Sequence, residues 1–240
     1  MSIQDDISKR ALENYTAASA WPDQDAWHKV TYTSEKRIIE KWLDLKAADD
    51  MMILNAGSGG TEYKTKGSLI HMDIVESYVV KFEKHIVGSI EDINLPDASV
   101  DGIICVGSVL NYTDVQRAVA EFSRVLKAGG FFIIEFERSN SAEFLGTSYH
   151  GKTIFAKEYN YNGQNHLLWL YDEKHVRQLL EHYNLYVQKS KRVHCISSLL
   201  NRFGLSEERA SHYAKWDEAA QKISYPIAHN ILLLGSKGSF

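Results

Sequence analysis

The distribution of apolar and polar positions along the chain is typical of an α/β protein. Apolar runs of strand length alternate with segments in which apolar residues recur at helical spacing. The run at 100–106 is almost continuously apolar, as expected for a strand that is covered on both faces. Seven runs predict strands, at residues 51–54, 70–73, 86–87, 100–106, 131–136, 186–193 and 229–235.

Amphipathic helices are predicted between and around these strands. The clearest begins at Thr113, which with Gln116 fits a capping box, and ends in a C-cap at Gly129 and Gly130. The region 138–168 has no clear helical or strand period and is expected to be a long connection. The other helices are predicted at 3–15, from Ser34 to near Lys46, from Asp172 onwards, and over most of 197–223.

The first two crossovers between strands are unusually short. Seven residues, 61–67, separate a glycine turn from the second strand, and about a dozen separate Asp73 from the third. Parallel strands usually need a dozen or more residues for a crossover with its helix. We therefore expect the first two crossover helices to be shortened or missing.

Composition and charge narrow the class of protein. A length of 240 residues with only 3 prolines and no obvious linker favours a single domain. The net charge is −4 and the one basic run is 189–192, so no nucleic-acid partner is expected. Cys105 and Cys195 have no metal-binding spacing. The N-terminus does not resemble a signal peptide and no apolar run could span a bilayer, which predicts a cytoplasmic protein without membrane contact.

A glycine turn and a carboxylate mark the candidate chemistry. Gly57, Gly59 and Gly60 follow the first apolar strand, where backbone can approach a ligand with no Cβ in between. Asp73 ends the second strand. In an open α/β sheet, ligands bind beyond the carboxyl ends of the strands. The combination predicts a site that holds a ribose.

The order of these segments resembles the class I S-adenosylmethionine-dependent methyltransferases. The resemblance covers 51–137 closely and 165–236 loosely. It implies a Rossmann-like, seven-stranded, mostly parallel sheet with helices on both faces and shortened first crossovers. It also implies an N-terminal helical lid and a C-terminal helical insertion. The stretches that carry it are 54–59, Asp73, 88–92, 95–110 and 120–130.

The resemblance implies one methyltransferase domain over 1–240. Residues 1–48 would form the cap or lid, 49–137 the cofactor-binding half and 138–240 the acceptor-binding half. The cofactor would be S-adenosyl-L-methionine and the product S-adenosyl-L-homocysteine, with no metal. The cofactor-binding residues would be Asn55, Ala56, Gly57, Ser58, Gly59, Asp73, Ile74, Ser89, Ile90, Glu91, Val106 and Gly107.

Two positions depart from the family pattern. The first strand usually ends in an acid, where this chain has Asn55, whose amide still accepts a hydrogen bond. The family usually places an Asp at the position of Ser89 to receive the adenine amino group. A serine hydroxyl reaches less far, so Glu91 or a water would share that contact.

The expected reaction is in-line displacement onto a small-molecule acceptor of the sugar or natural-product type. Positioning is the protein's main contribution to such a reaction. A hydroxyl or amine acceptor must also lose a proton, for which His150 and His166 are the candidate bases. The candidate acceptor-binding residues are Trp21, Asn111, Tyr112, Tyr149 and Trp169.

Three other functions are compatible with parts of the same pattern. A nucleotide-dependent oxidoreductase that binds NAD fits poorly, because Glu62 stands where the dinucleotide motif requires its third glycine. Amino-methylation of DNA or RNA fits poorly, because 105–108 lacks the Asn/Asp-Pro-Pro-Tyr motif that such enzymes place there. A non-catalytic cofactor-binding or scaffold subunit remains open, since Asn55 and Ser89 depart from the pattern.

Overall fold

The computed structural model describes residues 2–17, 26–161, 163–220 and 227–239. Its centre is one seven-stranded sheet in the order β3-β2-β1-β4-β5-β9-β8, beside a separate hairpin of β6 and β7. The strands are β1 (Met52–Ala56), β2 (Ser68–Asp73), β3 (His85–Val87), β4 (Val100–Cys105), β5 (Leu126–Glu137), β6 (Ile154–Tyr161), β7 (Gln164–Tyr171), β8 (Leu185–Val193) and β9 (Asn230–Lys237).

Helices flank both faces of the sheet. Short 3-10 turns at Val109–Tyr112, Ala142–Phe144 and Ala214–Trp216 connect some of the elements. The α-helices are α1 (Ile3–Ala17), α2 (Ala26–Lys46), α3 (Glu76–Val79), α4 (Val115–Val125), α5 (Glu173–His182), α6 (Ile196–Arg202), α7 (Glu207–Ser211) and α8 (Asp217–Ala220). The predicted seven-stranded, mostly parallel α/β sheet is therefore confirmed.

The parallel part of the sheet gathers the strand ends that matter for function. β1, β2, β3, β4 and β5 are parallel, and β9 is antiparallel to both β5 and β8. The strand order reverses between β1 and β4, which is where α/β sheets of this kind open a crevice for a ligand.

Two apolar layers hold the helices on the sheet. On one face, Leu43 of α2 packs with Ile53 and Ile133. On the other, Phe122 of α4 packs with Leu54 and Phe132, among other residues. Side chains of neighbouring strand residues point to opposite faces, so each central strand supplies both layers. This explains the nearly continuous apolar runs in the sequence.

The short crossovers are confirmed, and three helix boundaries differ from the prediction: the start of α2 and both ends of α4. α3 has one turn, and the described crossover between β1 and β2 contains no helix. α2 begins at Ala26 rather than Ser34. α4 is capped by the carboxylate of Asp114, which accepts from the N–H groups of Gln116 and Arg117, and not by Thr113. The Thr113 hydroxyl instead donates to the Leu110 carbonyl oxygen.

The helix ends at Val125, and β5 starts at the next residue, so Gly129 and Gly130 lie within β5 and are not a C-cap. The region expected to be a long connection contains the hairpin of β6 and β7, whose eight residue pairs lie outside the main sheet. The predicted C-terminal helical insertion thus has a β-hairpin ahead of α5. Among the described helices, none combines the length and apolarity that a membrane span requires.

Candidate active site

A cavity of about 350 Å³ opens at the carboxyl ends of β1, β2 and β4, under α1 and α2. This size falls at the lower end of ordinary small-molecule sites. Ten of the twelve predicted cofactor-binding residues line it: Gly57, Ser58, Gly59, Asp73, Ile74, Ser89, Ile90, Glu91, Val106 and Gly107. The other two, Asn55 and Ala56, are buried at the end of β1 and are not among the lining residues.

The glycine turn is shaped by contacts that no larger residue permits. Gly57 has φ +67°, and a Cβ built there would lie 2.5 Å from a methyl carbon of Val109. Residues that carry a side chain rarely adopt this left-handed backbone conformation. Asn55 supports the turn from below, because its Nδ2 donates to the Thr61 carbonyl oxygen at 2.9 Å. The backbone of the turn is therefore held open toward the cavity.

Asp73 lies beside this turn with its carboxylate almost fully buried. One oxygen accepts from the Gly59 N–H at 2.8 Å and the other from the Val75 N–H at 3.0 Å. Burial raises the pKa of Asp73, and these backbone hydrogen bonds oppose the rise. Each carboxylate oxygen has a second lone pair, so Asp73 can also accept from ligand hydroxyls.

Residues 89–91 form the wall of the cavity beyond β3. The Ser89 hydroxyl accepts from the Glu91 N–H at 3.2 Å. The Glu91 carboxylate is engaged by protein groups, since it accepts from the Asp114 N–H and from the Gln4 amide, each at 3.0 Å. Glu91 thus fixes the approach of α1 to this wall.

The predicted acceptor-side residues divide between the cavity and its support. Tyr112 lines the cavity, and its hydroxyl lies 2.9 Å from Nδ1 of His166. Burial lowers the pKa of His166. Asn111 is fully buried: its amide donates to the carbonyls of Glu137 and Trp169 and accepts from the Glu137 N–H. Asn111 and Trp169 therefore position the wall and do not line the cavity.

Three other predicted residues lie elsewhere. Tyr149 is 46% exposed, packs on Phe155 and does not line the cavity. His150 follows it in the same loop and does not line the cavity either. Trp21 falls in 18–25, outside the described residues.

Several cavity residues were not predicted from the sequence. Tyr15 of α1, Tyr32 and Glu35 of α2, and Tyr63 and Tyr78 all line it. Tyr15 and Tyr32 belong to an N-terminal stretch of the sequence, 15–32, that also contains Trp21 and Trp27, and this local richness in aromatic residues is the signal that could have indicated them. No feature of the sequence indicates Glu35 as a site residue, because it stands directly after Ser34, the predicted start of α2.

Three buried acids, Glu35 of α2 and Glu135 and Glu137 of β5, lie close enough to interact electrostatically. Burial, followed by repulsion from Glu135 and Glu137, raises the pKa of Glu35 well above its usual value. Burial also raises the pKa of Glu135 to about 7, although its carboxylate accepts from the Ser108 N–H at 2.6 Å and from the Asn230 amide at 2.7 Å. Glu135 thereby fixes the loop that follows β4.

The third acid has a cationic neighbour. Burial acts to raise the pKa of Glu137, but His229, 3.5 Å away, and the Ser108 hydroxyl outweigh it, so the pKa is lowered. His229 in turn has a raised pKa, because Glu137 outweighs the effect of burial. Within the described residues, no group of His, Cys, Asp and Glu side chains has the arrangement of a metal site.

A second depression lies on the far side of α2. It is lined by basic residues of α2 and β8 together with Trp42. The basic run at 189–192 therefore does not stand alone in the folded protein. Its cationic lining residues are Lys29, Arg37, Lys41, Lys189, Lys191, Arg192 and Lys215.

The part of the chain that contains most of the predicted cofactor-binding residues matches a known family of domains. Residues 56–134, which include the glycine turn, Asp73 and the wall after β3, match a family model described as a methyltransferase domain. Among curated proteins, none matches the chain in sequence.

Solved structures of low sequence identity share the fold. The 1,6-didemethyltoxoflavin-N1-methyltransferase of Burkholderia thailandensis has a TM-score of 0.60 and 13% identity, covering 99% of this chain and 92% of that one. The geranyl diphosphate C-methyltransferase of Streptomyces coelicolor A3(2) has a TM-score of 0.63 and 10% identity, covering 99% and 98%. Both were solved with S-adenosylhomocysteine.

Proposed function

Because this chain carries the methyltransferase domain and the fold of the class I S-adenosylmethionine-dependent methyltransferases, we propose that its methyl acceptor is a small molecule. The resemblance found in the sequence is confirmed, and the cofactor is S-adenosyl-L-methionine. The observation that carries the proposal on the acceptor is the cover of the cavity. Helices α1 and α2 lie over the strand ends and leave a small, tyrosine-rich space.

The residues of the site fit this cofactor. The bare backbone at Gly57 gives room that a Cβ would fill, and the Asp73 carboxylate has lone pairs left for a ribose. When bound, the cofactor supplies an electrophilic methyl group on a sulfonium. The chain supplies a wall at 89–91 for the adenine and the Val106–Gly107 backbone at the opposite end of the cavity.

The cover over the cavity supports a small acceptor. Ile7 and Ala11 of α1 pack in one apolar cluster with Tyr112 and Leu168, so α1 and the hairpin form one lid. A cover of this kind excludes water and restricts the size of what can enter. Of the two methyltransferases compared above, one was solved with bound 1,6-didemethyltoxoflavin and the other with geranyl diphosphate. We extend the proposal to a sugar or natural-product acceptor for this chain.

We assign proton removal from the acceptor to the Tyr112–His166 pair. Tyr112 faces the cavity, and His166 stands behind it within hydrogen-bond distance. The lowered pKa keeps the imidazole neutral and able to accept a proton near pH 7. His150 takes no part in this proposal.

The proposal also divides the labour along the chain. Residues 1–48 cover the site, 49–137 bind the cofactor, and 138–240 supply support and acceptor contacts. We place the protein in the cytoplasm. We also propose that no nucleic acid is among its acceptors: the net charge of −4 supports this, and the depression lined by basic residues lies on the far side of α2 from the cavity.

A two-stage experiment tests the function. Thermal stabilisation is measured first with S-adenosylhomocysteine and with NAD, and stabilisation by the former alone is expected. The protein is then incubated with methyl-labelled S-adenosylmethionine and a metabolite extract, and label is expected in a small-molecule fraction. A variant with Tyr112→Phe should transfer label more slowly while it binds S-adenosylhomocysteine normally.

The same experiment separates the alternatives. Cofactor binding without transfer to any extract would favour a non-catalytic cofactor-binding or scaffold subunit. Label in nucleic acid from a total cell lysate would overturn the small-molecule proposal. Stabilisation by NAD alone would overturn the cofactor assignment as well.

A further inference from the structure

Glu35 is a buried carboxylate of the cavity with an unmatched oxygen. It lies on α2, is 4% exposed and lines the cavity. In the part of the chain that the structure describes, Oε1 has no hydrogen-bond partner. A buried carboxylate oxygen without a hydrogen-bond donor is destabilising, because water no longer solvates its share of the charge. A ligand that brings a donor to this point would remove that cost.

The other two acids of the cavity differ from Glu35 in this respect. Asp73 accepts from the N–H groups of Gly59 and Val75. Glu91 accepts from the Asp114 N–H and the Gln4 amide. Glu35 is therefore the cavity carboxylate that the described protein groups leave without a donor for one of its oxygens.

The position of Glu35 identifies which end of the cofactor it faces. Glu135, which repels Glu35, binds the Ser108 N–H in the loop after β4. The adenine wall at 89–91 follows β3, at the other edge of the parallel strands. A ligand whose ribose is held at Asp73, after β2, and whose adenine lies beyond β3 must extend its other end over β1 and β4. Glu35 lies at that end.

The chemistry of that end then decides the ligand group. The sulfonium of S-adenosylmethionine carries charge but no N–H or O–H donor, whereas its α-ammonium carries three N–H donors. Asn55, which stands at the usual acid position, commits its Nδ2 to the Thr61 carbonyl and does not line the cavity. We propose that the Glu35 carboxylate binds the α-ammonium of the cofactor's amino-acid end, supplying from α2 the acid that β1 lacks.

Two neighbouring acids favour a cation at this point. Glu135 and Glu137 lie close enough to raise the energy of a second negative charge at Glu35. An ammonium placed against Glu35 would relieve that repulsion. The inference rests on the proposed function only in taking the cofactor to be S-adenosylmethionine.

The test compares ligands with and without the ammonium. Affinities of S-adenosylhomocysteine and of 5′-methylthioadenosine, which lacks the amino-acid end, are measured by calorimetry for the wild type and Glu35→Gln. Loss of a charge-assisted hydrogen bond should weaken S-adenosylhomocysteine by about 10- to 100-fold. The affinity for 5′-methylthioadenosine should change less than about twofold, since no contact to it is lost.

The matched control is Asp44→Asn. Asp44 is an exposed acid on the same helix, outside the cavity lining, so its loss should leave both affinities unchanged. A further measurement uses wild-type protein: the desamino analogue of S-adenosylhomocysteine should bind it more weakly than the parent by a similar factor. That comparison does not depend on how the Glu35 variant folds.

The outcomes separate the inference from the function it rests on. An unchanged affinity of Glu35→Gln for S-adenosylhomocysteine would overturn the ammonium contact while leaving the cofactor assignment intact. Equal weakening of both ligands would also overturn it, because Glu35 would then act through cavity shape. If the wild type bound neither ligand, the proposed function would fall, and the inference with it.

Discussion

Replacement of Gly57 by alanine tests the shape of the glycine turn. The added Cβ would destabilise the folded protein in two ways that can be separated. The left-handed φ of +67° costs an L-residue about 1–2 kcal/mol. The contacts of 2.5 and 2.6 Å with the Val109 methyl carbons add overpacking of about 1–3 kcal/mol. Gly57→Ala should therefore lower the free energy of unfolding by about 2–5 kcal/mol, measured by urea denaturation.

A matched glycine isolates the first effect. Gly146 has φ +77°, and a Cβ there would meet nothing within 4 Å. Gly146→Ala should therefore cost only the conformational part, about 1–2 kcal/mol. It should also leave the affinity for S-adenosylhomocysteine unchanged, since Gly146 does not line the cavity.

A double-mutant cycle isolates the second effect. In Gly57→Ala/Val109→Ala the new Cβ no longer meets the valine methyl groups. The double variant should thus be more stable than the sum of the two single changes predicts, by about 1–3 kcal/mol. Additivity of the two changes within about 0.5 kcal/mol would refute the steric reasoning. So would equal costs for Gly57→Ala and Gly146→Ala.

Three further predictions follow from the contacts of the site. Asp73→Ala should weaken S-adenosylhomocysteine by about one to two decades, since a charge-assisted hydrogen bond contributes roughly 1.5–3 kcal/mol; unchanged affinity by calorimetry would remove Asp73 from the site. Asn111→Ala should lower the free energy of unfolding by about 2–4 kcal/mol, because it leaves buried carbonyls and an N–H unpaired; a urea titration showing under about 1 kcal/mol would contradict this. His229→Gln should cost more stability near pH 6 than near pH 8.5. Glu137 raises the pKa of His229 in the folded state. The ion pair of His229 with Glu137 therefore stabilises the fold fully below the unfolded-state pKa of 6.5, and this stabilisation is lost as pH rises through the folded-state pKa. A stability cost that grows with pH would show that His229 is not stabilised by Glu137 in its protonated form.

The strands of the seven-stranded sheet, and the residues that stand at their carboxyl ends, were predictable from the sequence. Each central strand is buried on both faces, so it appears in the sequence as an apolar run that can be recognised without knowledge of the fold. The glycine turn and Asp73 stand directly at strand ends, and parallel neighbours bring those ends to one edge. Ten of the predicted cofactor residues therefore line the cavity, although none of the contacts between them was visible in advance.

Local signals were weaker where tertiary packing sets the structure. The hairpin of β6 and β7 lies outside the main sheet, and its strands mix apolar and polar residues without a strict period. α2 extends to Ala26 because its N-terminal part packs on residues that are distant in sequence. The Thr31 hydroxyl lies 2.7 Å from Nε2 of His194, and the Trp27 ring stacks on the His194 imidazole. A helix that long-range contacts stabilise need not show its start in the sequence.

The second depression, which lies on the far side of α2 and is lined by basic residues and Trp42, shows the same limit of prediction from sequence. Its lysines and arginines come from α2, β8 and the region after α7, so no continuous basic run announces it. Only the 189–192 segment is visible as a cluster in the sequence. Charge patterns on a surface depend on which elements become neighbours, and a linear reading does not contain that information.

The sequence by itself determined the α/β class, the strands of the seven-stranded sheet, the glycine turn after β1 and the position of Asp73 at the end of β2, because all of these are recorded in consecutive residues. Only the tertiary structure decided what covers the site. It brought Tyr15 and Glu35 over the strand ends, placed His166 behind Tyr112, and made Asn111 a support. The physical reason is that a side chain's partner, and hence its charge and its role, is set by residues far away in the chain.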